Sequence, residues 1–81
     1  MRLGKRAVRQ FRKLPAGIQD RMYGQLSRLA EDPFAGDVEK LRGKKNRFRL
    51  RSGRYRAIYE VDHAVKIISV LDVGHRKDIY R

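Results

Sequence analysis

Between Arg47 and Arg56 the chain reads Arg-Phe-Arg-Leu-Arg-Ser-Gly-Arg-Tyr-Arg, and no other stretch restricts the fold as tightly. Arg47, Arg49 and Arg51 alternate with Phe48 and Leu50, the period-two pattern of a strand with one buried and one solvated face. Ser52-Gly53 follows as a turn. A two-residue loop there sets Arg51 opposite Arg54, Arg49 opposite Arg56 and Leu50 opposite Tyr55, gathering five arginines on one face and the apolar residues on the other. Like charges placed directly opposite on a sheet repel. One such arginine is an ordinary solvated side chain, but five on one face describe a surface that holds something polyanionic.

Two helices precede this hairpin. In residues 5–14, Ala7, Val8, Phe11 and Leu14 form one apolar stripe and basic residues occupy the rest of the turn, which predicts a short amphipathic helix with a basic outer face. Only Met1 to Gly4 stand before it, so a leading strand is very short. Pro15 suits the first turn of a second helix, whose core residues Ile18, Met22, Leu26 and Leu29 recur on one side. Asp32-Pro33 stops that helix, because the residue before proline disfavours the helical conformation, and Phe34 to Asp37 form a loop. After the hairpin, Tyr55, Ala57, Tyr59 and Val61 share the helix-facing side of a strand, with Arg56 and Ile58 on the other. Asp62-His63-Ala64 turns the chain into Val65–Val73, a strand apolar on both faces and hence interior to the sheet, ended by Gly74.

The formal net charge of +12 is concentrated in two blocks. Met1–Leu14 carries six basic residues and no acidic one, and Lys40–Arg56 carries nine and none. Charge of this kind steers association with phosphate backbones and makes it salt-dependent, without naming the nucleic acid; an acidic protein partner fits it better than an anionic membrane does. Eighty-one residues make a single domain, 1–81, which hides only ~60% of its extended surface on folding. Without cysteine there is no disulfide scaffold, and without an apolar leader or a run long enough to span a bilayer the expectation is a soluble cytoplasmic protein.

No glycine-rich phosphate loop, metal-ligand spacing or nucleophile motif occurs, so neither metal nor cofactor is expected. Arginine, tyrosine and one histidine remain. Arginine forks bind phosphate bidentately and stabilise the extra charge of a phosphoryl transition state. Tyr80 is placed to stack on a base, and His75 to exchange protons near neutral pH. These are the parts of an RNA cleaver in which the RNA's own 2′-OH attacks the adjacent phosphate, and equally those of a site that only binds RNA.

Three motifs in this order resemble the RelE/ParE toxin superfamily, and its RelE branch in particular: Lys40-Leu-Arg-Gly43, Phe48-Arg-Leu-Arg-Ser-Gly-Arg-Tyr-Arg-Ala-Ile-Tyr-Glu-Val61 and Val73-Gly-His-Arg-Lys-Asp-Ile-Tyr-Arg81. The resemblance also takes in the Ala7–Leu14 helix. It implies an α+β, βααβββ fold, a twisted antiparallel sheet packed on an αα-hairpin, here with the first strand short or truncated. It implies the toxin of a type II toxin–antitoxin system, a metal-free, ribosome-dependent endoribonuclease that cleaves mRNA in the A site. The implied partners are a RelB-like acidic antitoxin, the ribosome and mRNA, with operator DNA engaged only through the antitoxin complex.

Residue by residue, Arg56 matches the strand arginine that grips the scissile phosphate. Arg76 matches the arginine after the last strand, assigned to charge stabilisation or leaving-group protonation, and Tyr80 the tyrosine that orients or stacks the nucleotide. Arg47 and Arg49 fall where the best-known member has two lysines. Arginine, with a pKa above ~12, is a poor general base, which makes His75 a candidate for that role. Lys40, Arg42, Lys44, Lys45, Arg51, Arg54, Lys77 and Arg81 complete the expected RNA- and ribosome-binding surface. Two other readings stay open: a ParE-like gyrase inhibitor without nuclease chemistry, and a non-enzymatic basic module that binds RNA or an acidic partner.

Overall fold

The computed structural model describes residues 1–43 and 45–75. In chain order these form β1 (Arg2–Leu3), α1 (Lys5–Arg12), α2 (Ala16–Glu31), β2 (Val38–Lys40), β3 (Arg47–Ser52), β4 (Tyr55–Asp62) and β5 (Ile67–His75). The sheet order is β1-β5-β4-β3-β2.

The helices follow their apolar stripes. Ala7 and Leu14 are buried beside α1, Met22, Leu26 and Leu29 beneath α2, and Phe11 and Ile18 pack at the margin. Pro15 caps α2, and Asp32 ends it in extended backbone as the following proline requires. Both helices cover the sheet face that carries Phe48, Leu50, Ala57, Tyr59, Val61, Ile68, Val70 and Val73, all in one core cluster. The basic residues of α1 face outward, including Lys5, Arg6, Arg9 and Arg12.

The sheet departs from the sequence expectation in three ways. It has five strands rather than four, because Val38–Lys40 adds an edge strand beside β3. Three residues are too few for a periodic pattern to announce a strand. Second, β1 runs parallel to β5, pairing Arg2 with Ser69 and Leu3 with Val70, so one of the four pairings is not antiparallel. β5 is nonetheless interior, as its two apolar faces indicated, and runs through Gly74 to His75.

The third difference is register. The β3–β4 loop is Gly53-Arg54, not Ser52-Gly53, and Ser52 pairs with Tyr55 inside the ladder. Gly53 adopts a φ of 60° and Arg54 has no positive φ, the arrangement of a two-residue hairpin loop with glycine first. The shift moves each partner by two residues, so the face assignments survive while the neighbours change. Arg51 stands opposite Arg56, Arg49 opposite Ile58 and Arg47 opposite Glu60, and Arg54 leaves the row for the turn.

Because β1 pairs no further than Val70, the end of β5 has no strand beyond it on that side. Gln10 from α1 takes the place of one. Its Oε1 accepts from the Val73 amide at 2.8 Å, and its Nε2 donates to Asp72 Oδ1 at 2.6 Å.

Candidate nucleic-acid interface

Alternation puts Arg47, Arg49 and Arg51 of β3 and Arg56 of β4 on the face away from the helices. Arg56 is only 5% exposed. Its Nη1 donates to the Gly53 carbonyl at 2.8 Å and to the Tyr55 carbonyl at 2.9 Å, which fixes the guanidinium against the turn. Arg49, Arg51 and Arg56 line a cavity of about 180 Å³ together with two carboxylates, Asp37 and Glu39.

Those carboxylates are the feature that the arginine pattern did not announce. Glu39 pairs directly with Arg49 across the β2–β3 ladder, and its Oε2 lies 3.0 Å from Arg49 Nη2. Asp37 Oδ2 lies 2.6 Å from Arg51 Nε, and the Asp37 carbonyl accepts from the Arg51 amide at 2.9 Å. Glu60, opposite Arg47, pairs with it at 3.0 Å. The opposed Arg51 and Arg56 therefore do not repel unrelieved: a carboxylate holds one and backbone carbonyls hold the other. The signal in the sequence was Asp37-Val38-Glu39, whose alternation sends Val38 toward the core and both acids to the arginine face.

The remaining basic residues divide between the two ends of β3. Lys40, Arg42 and Lys45 lie around the β2–β3 loop and line a separate depression of about 390 Å³. Arg54 is exposed in the Gly53 turn at the other end. From Arg47 to Arg51 the strand rises about 13 Å, so the two groups can touch successive segments of an extended polyanion.

His75 is not brought to the arginines. It pairs with Tyr55, on the helix-covered side, with the two rings edge to face at 5.5 Å. With Lys13, Leu14 and Pro15 these two side chains line a cavity of about 250 Å³ across the sheet from Arg56. Lys44, Arg76, Lys77, Tyr80 and Arg81 lie outside the described residues. Among the described residues, no three His, Asp or Glu side chains are grouped as metal ligands would be, and no helix is long and apolar enough to cross a membrane.

A two-helix layer on one face of a five-stranded sheet, with an arginine pocket on the other, defines the class to which this chain is assigned. It belongs to the family described as ParE toxin of type II toxin-antitoxin system, parDE, whose family model matches residues 1–80. Among curated proteins it is similar to the mRNA interferase toxin RelE of Escherichia coli strain K12, at 31% identity over 75 residues, covering 90% of this chain and 78% of that protein. It is 34% identical over 79 residues to toxin RelG of Mycobacterium tuberculosis, covering 93% and 87% respectively.

Solved structures agree. A chain of the RelB-RelE antitoxin-toxin complex from Methanococcus jannaschii superimposes with a TM-score of 0.83 at 26% identity, covering 99% of this chain and 95% of that one. The isolated E. coli RelE toxin gives 0.79 at 26% identity, covering 91% and 80%.

Proposed function

We propose that this chain is the toxin of a type II toxin–antitoxin pair and an mRNA interferase that cuts mRNA in the ribosomal A site. The observation that carries the reading is Arg56, nine-tenths buried at the floor of a pocket shared with Arg49 and Arg51. Its support is the similarity to proteins named as mRNA interferases and to chains of RelB-RelE complexes. In this reading the Arg56 guanidinium, fixed against the turn by the Gly53 and Tyr55 carbonyls, meets the scissile phosphate. Arg49 and Arg51 add charge where the pentacoordinate phosphorane develops. The 2′-oxygen attacks the adjacent phosphorus and gives up its proton to solvent water, the P–O5′ bond breaks with the 5′-oxygen taking up a proton, and a 2′,3′-cyclic phosphate results. Arginine is too basic to take the 2′-OH proton, so the arginines contribute positioning and charge.

Arg76 and Tyr80 are the proposed completion of the site, at the leaving oxygen and against the base. His75 is demoted from proton transfer, because it stands across the sheet from Arg56. Lys40, Arg42 and Lys45 are proposed to contact the RNA backbone and the ribosome, and a cognate acidic antitoxin to cover the arginine face. The compartment is the cytoplasm, where ribosomes are.

Primer extension on mRNA held by stalled ribosomes, beside the same mRNA alone, tests the reading. Cuts at the A-site codon only with ribosomes are expected. Arg56→Lys, which keeps the charge but loses the fork, should lower cutting about 100-fold or more. Full activity in that variant would remove Arg56 from the site.

A second reading is favoured by the family description itself, which names ParE: a gyrase inhibitor without nuclease chemistry. Supercoiling assays with purified gyrase separate the two. Accumulation of cleaved DNA complexes, with mRNA left intact, would establish the second and overturn the first.

A further inference from the structure

The three arginines of the pocket are met by two carboxylates of the same chain, and both carboxylates are placed by the sheet rather than by a free loop. Gly36, with a φ of 83°, turns the chain into β2. From there Asp37 is fixed by its carbonyl on the Arg51 amide, and Glu39 by its register opposite Arg49. Val38 anchors the segment between them in the core margin. Asp37 and Glu39 are therefore held where the oxygens of a bound phosphate would accept from Arg51 and Arg49.

Each pair is partly or largely open to water. The side chains of Asp37 and Arg51 are 55% and 61% exposed, and in the other pair Glu39 is 72% exposed against 17% for Arg49. An ion pair as open as Asp37 with Arg51 is weak by itself. A phosphate held in place beside them displaces the carboxylates readily, because its effective concentration is high. The same phosphate on RNA diffusing in solution competes at its bulk concentration and mostly loses.

We propose that Asp37 and Glu39 are specificity-determining counter-charges, which occupy Arg51 and Arg49 until a ribosome-positioned phosphodiester replaces them, and so keep the pocket from binding single-stranded RNA free in solution. This rests on the interferase reading for the identity of the polyanion. The binding step can be measured without cleavage, so the two fail separately.

The test is equilibrium binding of a 2′-O-methyl RNA oligonucleotide, which cannot be cut, to the full chain over a range of salt concentrations. Asp37→Asn with Glu39→Gln should tighten binding to the free oligonucleotide on the order of tenfold. The logarithmic salt slope should steepen by about 1.4, the value for two more cations engaged on a single strand. Each single variant should show a part of the effect. Asp20→Asn, an exposed acid on α2, removes the same unit of charge away from the pocket. Unchanged affinity and slope in the double variant, shown by its thermal melt to be folded, overturn the proposal, and so does a gain from Asp20→Asn equal to that of either single variant. A double variant that does not fold shifts the decision to Glu39→Gln alone, at the solvent-exposed edge, where no gain in affinity is likewise fatal.

Discussion

Tyr59 shows how one side chain joins the two layers of this protein. It has no exposed surface and stacks on Phe48 at 5.6 Å, while Phe48 meets Phe34 edge to face at 5.3 Å. Its hydroxyl donates to the Pro33 carbonyl at 2.5 Å, tying the segment after α2 to the middle of the sheet. Burial, and secondarily the nearby Asp32 carboxylate, push its pKa up to about 12. The folded state thus favours the neutral phenol. The resulting stability is complete below the ordinary value of 10.0 and is lost as pH rises towards about 12. In the native protein the Tyr59 phenol should ionise at about 12, read as tyrosinate absorbance. Tyr59→Phe should remove that late step and cost about 1 kcal/mol in urea unfolding at neutral pH. Absence of any tyrosinate step near pH 12 in the folded protein would refute the assignment.

At the scale of elements, the end of β5 is where the sheet is thinnest. β1 covers Ser69 and Val70 only, and α1 supplies the next partner through Gln10, which binds the Val73 amide and the Asp72 carboxylate. Arg6 lies 3.8 Å from the same carboxylate, but with its side chain 74% exposed it contributes little. Gln10→Leu keeps the bulk and leaves a part-buried amide without its acceptor, so a loss of about 1–3 kcal/mol is expected. Amide hydrogen exchange should localise it: Val73 should exchange faster while Val61, towards the far end of β4, is unaffected. An unchanged Val73 rate would mean that the edge is held by something other than this side chain. The motif that singled out Lys40–Arg56 gave no weight to Gln10, because one polar residue on a basic helix has no distinguishing pattern.

The whole molecule is a strongly cationic body, and three of its nine acids, Asp37, Glu39 and Glu60, are paired to arginines on one face of the sheet. A cognate acidic antitoxin is thus expected to compete with these carboxylates for the same guanidinium groups. Expression of the chain alone should arrest growth, and co-expression of its antitoxin should restore colony counts; harmless accumulation of the lone, folded chain would count against a toxin. Both helices, the stop at Asp32-Pro33, the interior place of β5 and the arginine face were legible in the sequence. Each follows from a local rule, whether the 3.6-residue stripe, the backbone of the residue before proline, or the alternation of a strand. A register shift of two residues preserves every one of those alternations, and the sequence presents Gly53 equally well as the first or second residue of the loop. Only the packed sheet, setting Leu50 against Ala57 and burying Ser52, chose between them. The same holds for the site. The arginines declared their face by themselves, whereas Glu39 meets them from a three-residue edge strand and Asp37 from the residue before it, and His75 takes the opposite side, because contacts between distant segments belong to the tertiary structure alone.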